Sequence, residues 1–197
     1  MTVHLIQGSD GLARRAFSAA DLRRMIDAGI MDEGEPFELV EGELVFMNAQ
    51  GFAHDIIKTA LARKLGRFLS ESFFVGAEVS VQLTGTSIVQ PDLVVAPRQA
   101  IACTDEGFLT IKPSAILLLV EVAATSLSFD RGRKARLYAR EGIAEYWVID
   151  ANKRRGWLYG GPSDEGFKDV TPVRAEDELR PSAPELAGLS IRLDDLS

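Results

Sequence analysis

The chain has 197 residues, 46% of them hydrophobic and 26% charged, with a mean hydropathy of +0.03. That balance excludes a disordered or fibrous protein and leaves enough chain to bury a core without staples. A net charge of −7 argues against a protein that coats nucleic acid through a uniformly positive surface, and one cysteine with two histidines excludes an internal disulfide and the common Cys/His zinc sites. No apolar run approaches bilayer length, and the N-terminal MTVHLIQGSDGLARR lacks a signal-peptide core, so the expected compartment is the cytoplasm.

Leu22, Met25 and Ile26 recur at helical spacing after Ser18 and Asp21, a capping-box pair, and predict a helix over 19–28 stopped by Gly29. Alternating runs on either side of Glu41-Gly42, from Phe37 to Met47, predict a hairpin. Residues 52–69 place Ile56, Ile57, Ala60, Leu61, Leu65 and Phe68 at helical spacing, with Lys58, Arg63, Lys64 and Arg67 on the remaining surface. Two strands are expected at 73–83 and 88–95, the second closed by Pro97, followed by a polar connection over 98–114. The apolar run 115–122, broken only by Glu121, reads as a central strand buried on both faces.

Asp130 is placed to cap a helix over 131–141, ended by Gly142. Residues 145–150 and 155–159 read as strands joined by a turn at 151–153, and the proline-bearing tail as short edge pieces. No linker divides the chain, so a single domain over 1–197 is expected, with a core over about 16–160 and a C-terminal appendage over 161–197.

Charge is uneven. Residues 130–155 carry eight basic and four acidic side chains, whereas 164–197 carry four basic and nine acidic ones. Two acids also stand where apolar residues belong: Asp92 after Pro91 at the head of a hydrophobic strand, and Glu121 inside Leu118–Val122. A buried carboxylate must be paired, hydrogen-bonded or bound to a metal. If the two strands lie side by side, the acids repel unless a cation joins them, and Mg²⁺ prefers oxygen ligands of this kind. Lys134, thirteen residues beyond Glu121, shares a helical face with Asp130 and Tyr138 and can fold back over the strand ends.

Each acid has a plainer alternative. Asp92 can simply accept backbone hydrogen bonds at a strand start, Glu121 can pair with an arginine, and Lys134 can pair with Asp130 on a solvated helix. Tyr138, Tyr146 and Trp147 read mainly as packing residues, Tyr138 also as a substrate contact. Lys153-Arg154-Arg155 fits a hairpin turn as well as a phosphate contact, and Cys103 has no neighbour in sequence to activate it.

Taken together, Phe37-Glu-Leu-Val-Glu-Gly-Glu-Leu, His54, Pro91-Asp92, Val120-Glu121-Val122, Asp130…Lys134…Tyr138 and Glu145-Tyr-Trp-Val-Ile-Asp150 resemble the Uma2 family, small bacterial proteins classed by name with restriction endonucleases of the PD-(D/E)XK nuclease superfamily. The resemblance implies an α/β fold with a core ordered helix, three strands, helix, strand, preceded by an N-terminal helix and hairpin. It also implies Mg²⁺- or Mn²⁺-dependent hydrolysis of DNA phosphodiesters. Asp92 and Glu121 would be the metal-binding acids, the carbonyl of Val122 a third ligand, and Lys134 the catalytic lysine, in place of the residue at Ala123 where the superfamily motif has one. Glu38 and His54 are possible additional site residues. A homodimer is compatible with the family. Two rival readings are a non-catalytic nucleic-acid-binding or regulatory module on the same scaffold, and a metal-dependent hydrolase of small phosphate esters.

Overall fold

A computed structural model of the chain describes residues 5–7, 11–32, 34–47 and 49–196. Part of the N-terminal stretch read for a signal peptide lies outside the described residues. Among the described residues, no helix is long and apolar enough to cross a membrane. Among the described residues the fold is mixed α/β, with three longer helical segments, two mixed six-stranded sheets and a two-stranded one pairing Leu5–Gln7 with Ala13–Arg15, and the chain packs as two compact units.

The smaller unit takes residues 1–48, 80–90 and 102–110. Its helix α1 (Ala19–Asp27) starts at a complete capping box: the Ser18 hydroxyl accepts from the Asp21 amide at 3.1 Å, and the Asp21 carboxylate accepts from the Ser18 amide at 3.0 Å. Leu22, Met25 and Ile26 pack against Leu39 and Ile88. The hairpin pairs Phe37–Val40 with Glu43–Phe46. Its two turn residues both take positive φ, 53° at Glu41 and 85° at Gly42, the type I′ geometry that matches strand twist. Gly42 is required for space as well, since a Cβ there would stand 2.7 Å from the Cβ of Ala16. The sheet order is 43–46, 37–40, 87–89, 81–84, 109–111, 101–103.

The larger unit takes residues 49–79, 91–101 and 111–197. Its sheet runs Gly166–Val173, Arg155–Ser163, Glu145–Asp150, Leu118–Ala123, Leu93–Pro97, Phe73–Ala77. The central pair, Leu118–Ala123 and Glu145–Asp150, is parallel and all twelve residues are buried. Helix α2 (Phe52–Phe68) lays Ile57, Ala60, Leu61 and Leu65 on Leu93, Val95, Leu118, Val120 and Val122. Burying such side chains contributes about 1.5–3 kcal/mol each.

Several boundaries differ from the sequence reading. The expected strands 73–83 and 88–95 are each broken, giving Phe73–Ala77, Val81–Thr84, Ser87–Val89 and Leu93–Pro97, whose members join different sheets. Glu78, at φ 51°, ends the first, and Pro91 has no N–H to offer a ladder. The connection over 98–114 holds two short strands, Ile101–Cys103 and Leu109–Ile111. Asp130 does not cap a helix. The helical segment begins earlier, at Leu127, passes through a π-helical turn at Asp130–Lys134 and ends as the α-helix Ala135–Arg140. Asp130 is buried inside it, bonded to the Ser126 hydroxyl at 2.6 Å.

The tail is more regular than short edge pieces. Arg155–Ser163 runs through position 161, where the appendage was expected to begin, and pairs along its length with Gly166–Val173. Pro172 is tolerated because its strand is an edge. Beyond it, Leu179, Leu186, Ile191, Leu193 and Leu196 are buried in the same core as α2.

Candidate active site

The antiparallel register between Leu118–Ala123 and Leu93–Pro97 pairs Val120 with Leu93. Asp92 directly precedes Leu93 and Glu121 directly follows Val120, so the two acids occupy the next facing positions on strands about 4.8 Å apart. Both are buried, each 5% exposed. Asp92 sits where the chain enters its strand. Its Oδ2 accepts from the Val122 amide at 2.7 Å, and its Oδ1 accepts from Nε2 of His54 at 2.8 Å. His54 lies in the first turn of α2 and is itself buried.

Burial works against a positive charge on His54, but the hydrogen bond and charge of Asp92, helped by Asp55, raise its pKa above the ordinary histidine value. One turn on, Lys58 bonds Glu78 at 2.7 Å and Asp55 at 3.3 Å. Burial opposes its charge too; Glu78, then Asp55, and the field of Asp92 outweigh this and raise its pKa.

Glu121 points toward the helical segment 127–140. Its Oε1 accepts from the Lys134 ammonium at 2.9 Å and from the Tyr138 hydroxyl at 3.0 Å. Lys134 is only 3% exposed and Tyr138 is fully enclosed. The anion is thus paired and hydrogen-bonded, which is what makes its burial tolerable. Tyr146 braces the same segment by donating to the Asp130 carbonyl at 3.1 Å.

Other buried acids of this sheet have structural partners. Glu145 accepts from the Trp147 indole at 2.7 Å and from the amide and hydroxyl of Ser182. Asp150 closes the following turn through the Lys153 amide and Arg155.

Of the residues singled out from sequence, Asp92, Glu121, Val122, Lys134 and His54 all lie in the larger unit, in two bonded sets: His54 and the Val122 amide on Asp92, and Lys134 with Tyr138 on Glu121. Glu38 belongs to the smaller unit, where it is buried and accepts from the Gln90 amide at 2.6 Å. In the basic run, Arg154 reaches the carbonyls of Leu193 and Leu196 and Arg155 pairs with Asp150, a turn-stabilising role. Cys103 is exposed. Sequence reasoning passed over Lys58 and treated Tyr138 mainly as packing. Both could have been found from spacing, because Lys58 follows His54, and Tyr138 follows Lys134, by one helical turn.

The donor set is carboxylate and peptide oxygen, suited to a hard cation such as Mg²⁺, which is commonly held by one or two carboxylates with water completing the shell. Among the described residues, no cluster of three or more His, Cys, Asp and Glu has the spacing to hold a metal ion. Two acids with a backbone carbonyl still fit the Mg²⁺ pattern. The amide and carbonyl of an extended residue face the same neighbouring strand, so the amide bond from Val122 to Asp92 turns the Val122 carbonyl toward that strand too.

Comparison with known proteins bears on this constellation. A crystal structure described as a "putative nuclease belonging to DUF820", from Anabaena variabilis, superposes with a TM-score of 0.72 at 15% identity, covering 91% of this chain and 97% of that one. At that identity the likeness is one of fold. NucC of E. coli MS115-1, in its apo form, aligns over 61% of this chain and 54% of its own at 19% identity, with a TM-score of 0.31 that carries no argument. No curated protein matches the chain. The sequence profile of the Uma2 family, described as "Putative restriction endonuclease", matches residues 19–194 and so takes in both units and every residue of the buried constellation. The chain belongs to the Uma2 family.

Proposed function

We propose that this protein is a divalent-metal-dependent endonuclease that hydrolyses phosphodiester bonds of DNA. The observation that carries the reading is the pair of buried acids at facing positions of adjacent strands, with the Lys134 amine on one of them. The chain order in the larger unit supports a PD-(D/E)XK core: α2, then Phe73–Ala77, Leu93–Pro97 and Leu118–Ala123, then the segment 127–140, then Glu145–Asp150.

Asp92, Glu121 and the Val122 carbonyl would hold Mg²⁺ or Mn²⁺. A bound ion would acidify a water and offset charge on the scissile phosphate. His54 fixes the orientation of the Asp92 carboxylate through its 2.8 Å bond. Tyr138 and Lys134 hold Glu121 in one rotamer. An ammonium has three donors, so Lys134 can bond Glu121 and still orient a water nucleophile or meet a phosphate oxygen.

The test is nicking of supercoiled plasmid with Mg²⁺ or Mn²⁺, with and without EDTA. Wild type should cleave only with metal. Asp92→Ala and Glu121→Ala should each lose cleavage while circular dichroism shows them folded. Cleavage surviving both substitutions would overturn the assignment. A folded wild type that cleaves no plasmid, single strand or small phosphate ester would favour the non-catalytic module instead.

A further inference from the structure

The strand row that carries Glu121 continues across the sheet. Glu121 faces Val148 on the next strand, and Val148 faces Trp157 on the one after. Residues facing each other on neighbouring strands point to the same side of a sheet, so Trp157 stands on the Glu121 side, two strand spacings or about 10 Å away.

Over that indole lies an arginine from the segment that supplies Lys134. The guanidinium carbon of Arg131 is 3.8 Å from the Trp157 ring centroid, and its Nε bonds the Tyr159 hydroxyl at 3.2 Å. Arg131 is exposed, and among the described residues its partners are the Tyr159 hydroxyl and the Trp157 ring rather than a carboxylate. Its neighbour Arg155, 5.1 Å from the same ring, is instead tied to Asp150.

An arginine held over an aromatic ring has surrendered side-chain entropy and kept donors for solvent. Such a fork matches the oxygens of a phosphate, and among the described residues no acid is paired with it. The surrounding stretch 130–155 has four more basic than acidic residues in a chain of net charge −7. The Trp157 position lies more than one nucleotide step from Glu121, the rise along one DNA strand being about 3.4 Å, so a phosphate held over it is not the one at the two acids.

We propose that Arg131, pre-set on Trp157, clamps a non-scissile backbone phosphate of the nucleic-acid substrate and so positions the strand over Asp92 and Glu121. The proposal rests on the nuclease reading above. It makes Arg131 a positioning residue, acting through a phosphate outside the reaction.

The experiment is fluorescence anisotropy of a short labelled duplex with Ca²⁺ replacing Mg²⁺, across a salt series, alongside plasmid nicking in Mg²⁺. Arg131→Gln keeps a stem to lie on Trp157 and removes the charge. It should weaken binding on the order of tenfold and lower the slope of log affinity against log salt by about 0.9, the share of one phosphate contact. Arg131→Lys should keep the slope while losing part of the affinity, because the charge remains and the planar fork is gone. Arg174→Gln, which removes an exposed arginine paired with Glu176 and Asp177, should change neither. If wild type binds and cleaves while Arg131→Gln matches it in affinity and slope, this proposal fails and the nuclease reading stands. If wild type neither binds nor cleaves, both fall.

Discussion

Removing Lys134 should expose how the larger unit tolerates Glu121. The pair is 2.9 Å apart, with side chains 4% and 6% exposed. Taking one member from a buried pair typically costs about 3–5 kcal/mol, because the remaining charge stays buried and unpaired.

Lys134→Met should therefore lose about 3–5 kcal/mol, with Tyr138 still bonded to the carboxyl. Glu121→Gln combined with Lys134→Met removes both charges and should recover most of the loss, a coupling of about 2 kcal/mol or more. Urea unfolding in EDTA, followed by circular dichroism, is run on wild type, Lys134→Met, Glu121→Gln and the double variant. A Lys134→Met variant within about 1 kcal/mol of wild type, or a double variant no more stable than it, would refute the reasoning.

Two glycines and one acid give further tests. Gly42→Ala should destabilise by about 2 kcal/mol or more, from its positive φ and the 2.7 Å approach to Ala16, whereas Gly66→Ala, inside α2 with nothing within 4 Å, should stabilise by about 0.5–1 kcal/mol; thermal unfolding reads both. The Ser18 hydroxyl, then the Ser18 amide, hold Asp21 below the usual aspartate pKa, so its contribution is present above about pH 3.8 and is lost as pH falls through the lower folded value. Wild type and Asp21→Asn should thus differ in Tm near neutrality and converge in strong acid; a gap unchanged at the lowest pH would contradict this.

What could be read from the sequence was local chemistry with few alternatives. Ser18 and Asp21 name a helix start, Glu41-Gly42 a tight hairpin turn, and the acid inside Leu118–Val122 demands a partner that helical spacing points to as Lys134. What could not be read depends on partners distant in sequence. A hydrophobic run does not announce that Glu78 will turn left-handed and send the chain to a second sheet. Asp130 looks like a cap because caps are its common use, yet Ser126 and Tyr146 draw it inside a π-turn. The tail prolines pointed to short edge pieces; Pro172 does lie on an edge, but in an eight-residue strand paired along its length.

The most direct measurement is a crystal structure of the protein soaked in Mn²⁺, with the ion located by its anomalous scattering. One peak about 2.0–2.2 Å from an oxygen of Asp92 and from an oxygen of Glu121 is predicted, with Lys134 beside Glu121. A protein saturated with Mn²⁺ that shows no peak joining those two carboxylates would contradict the account.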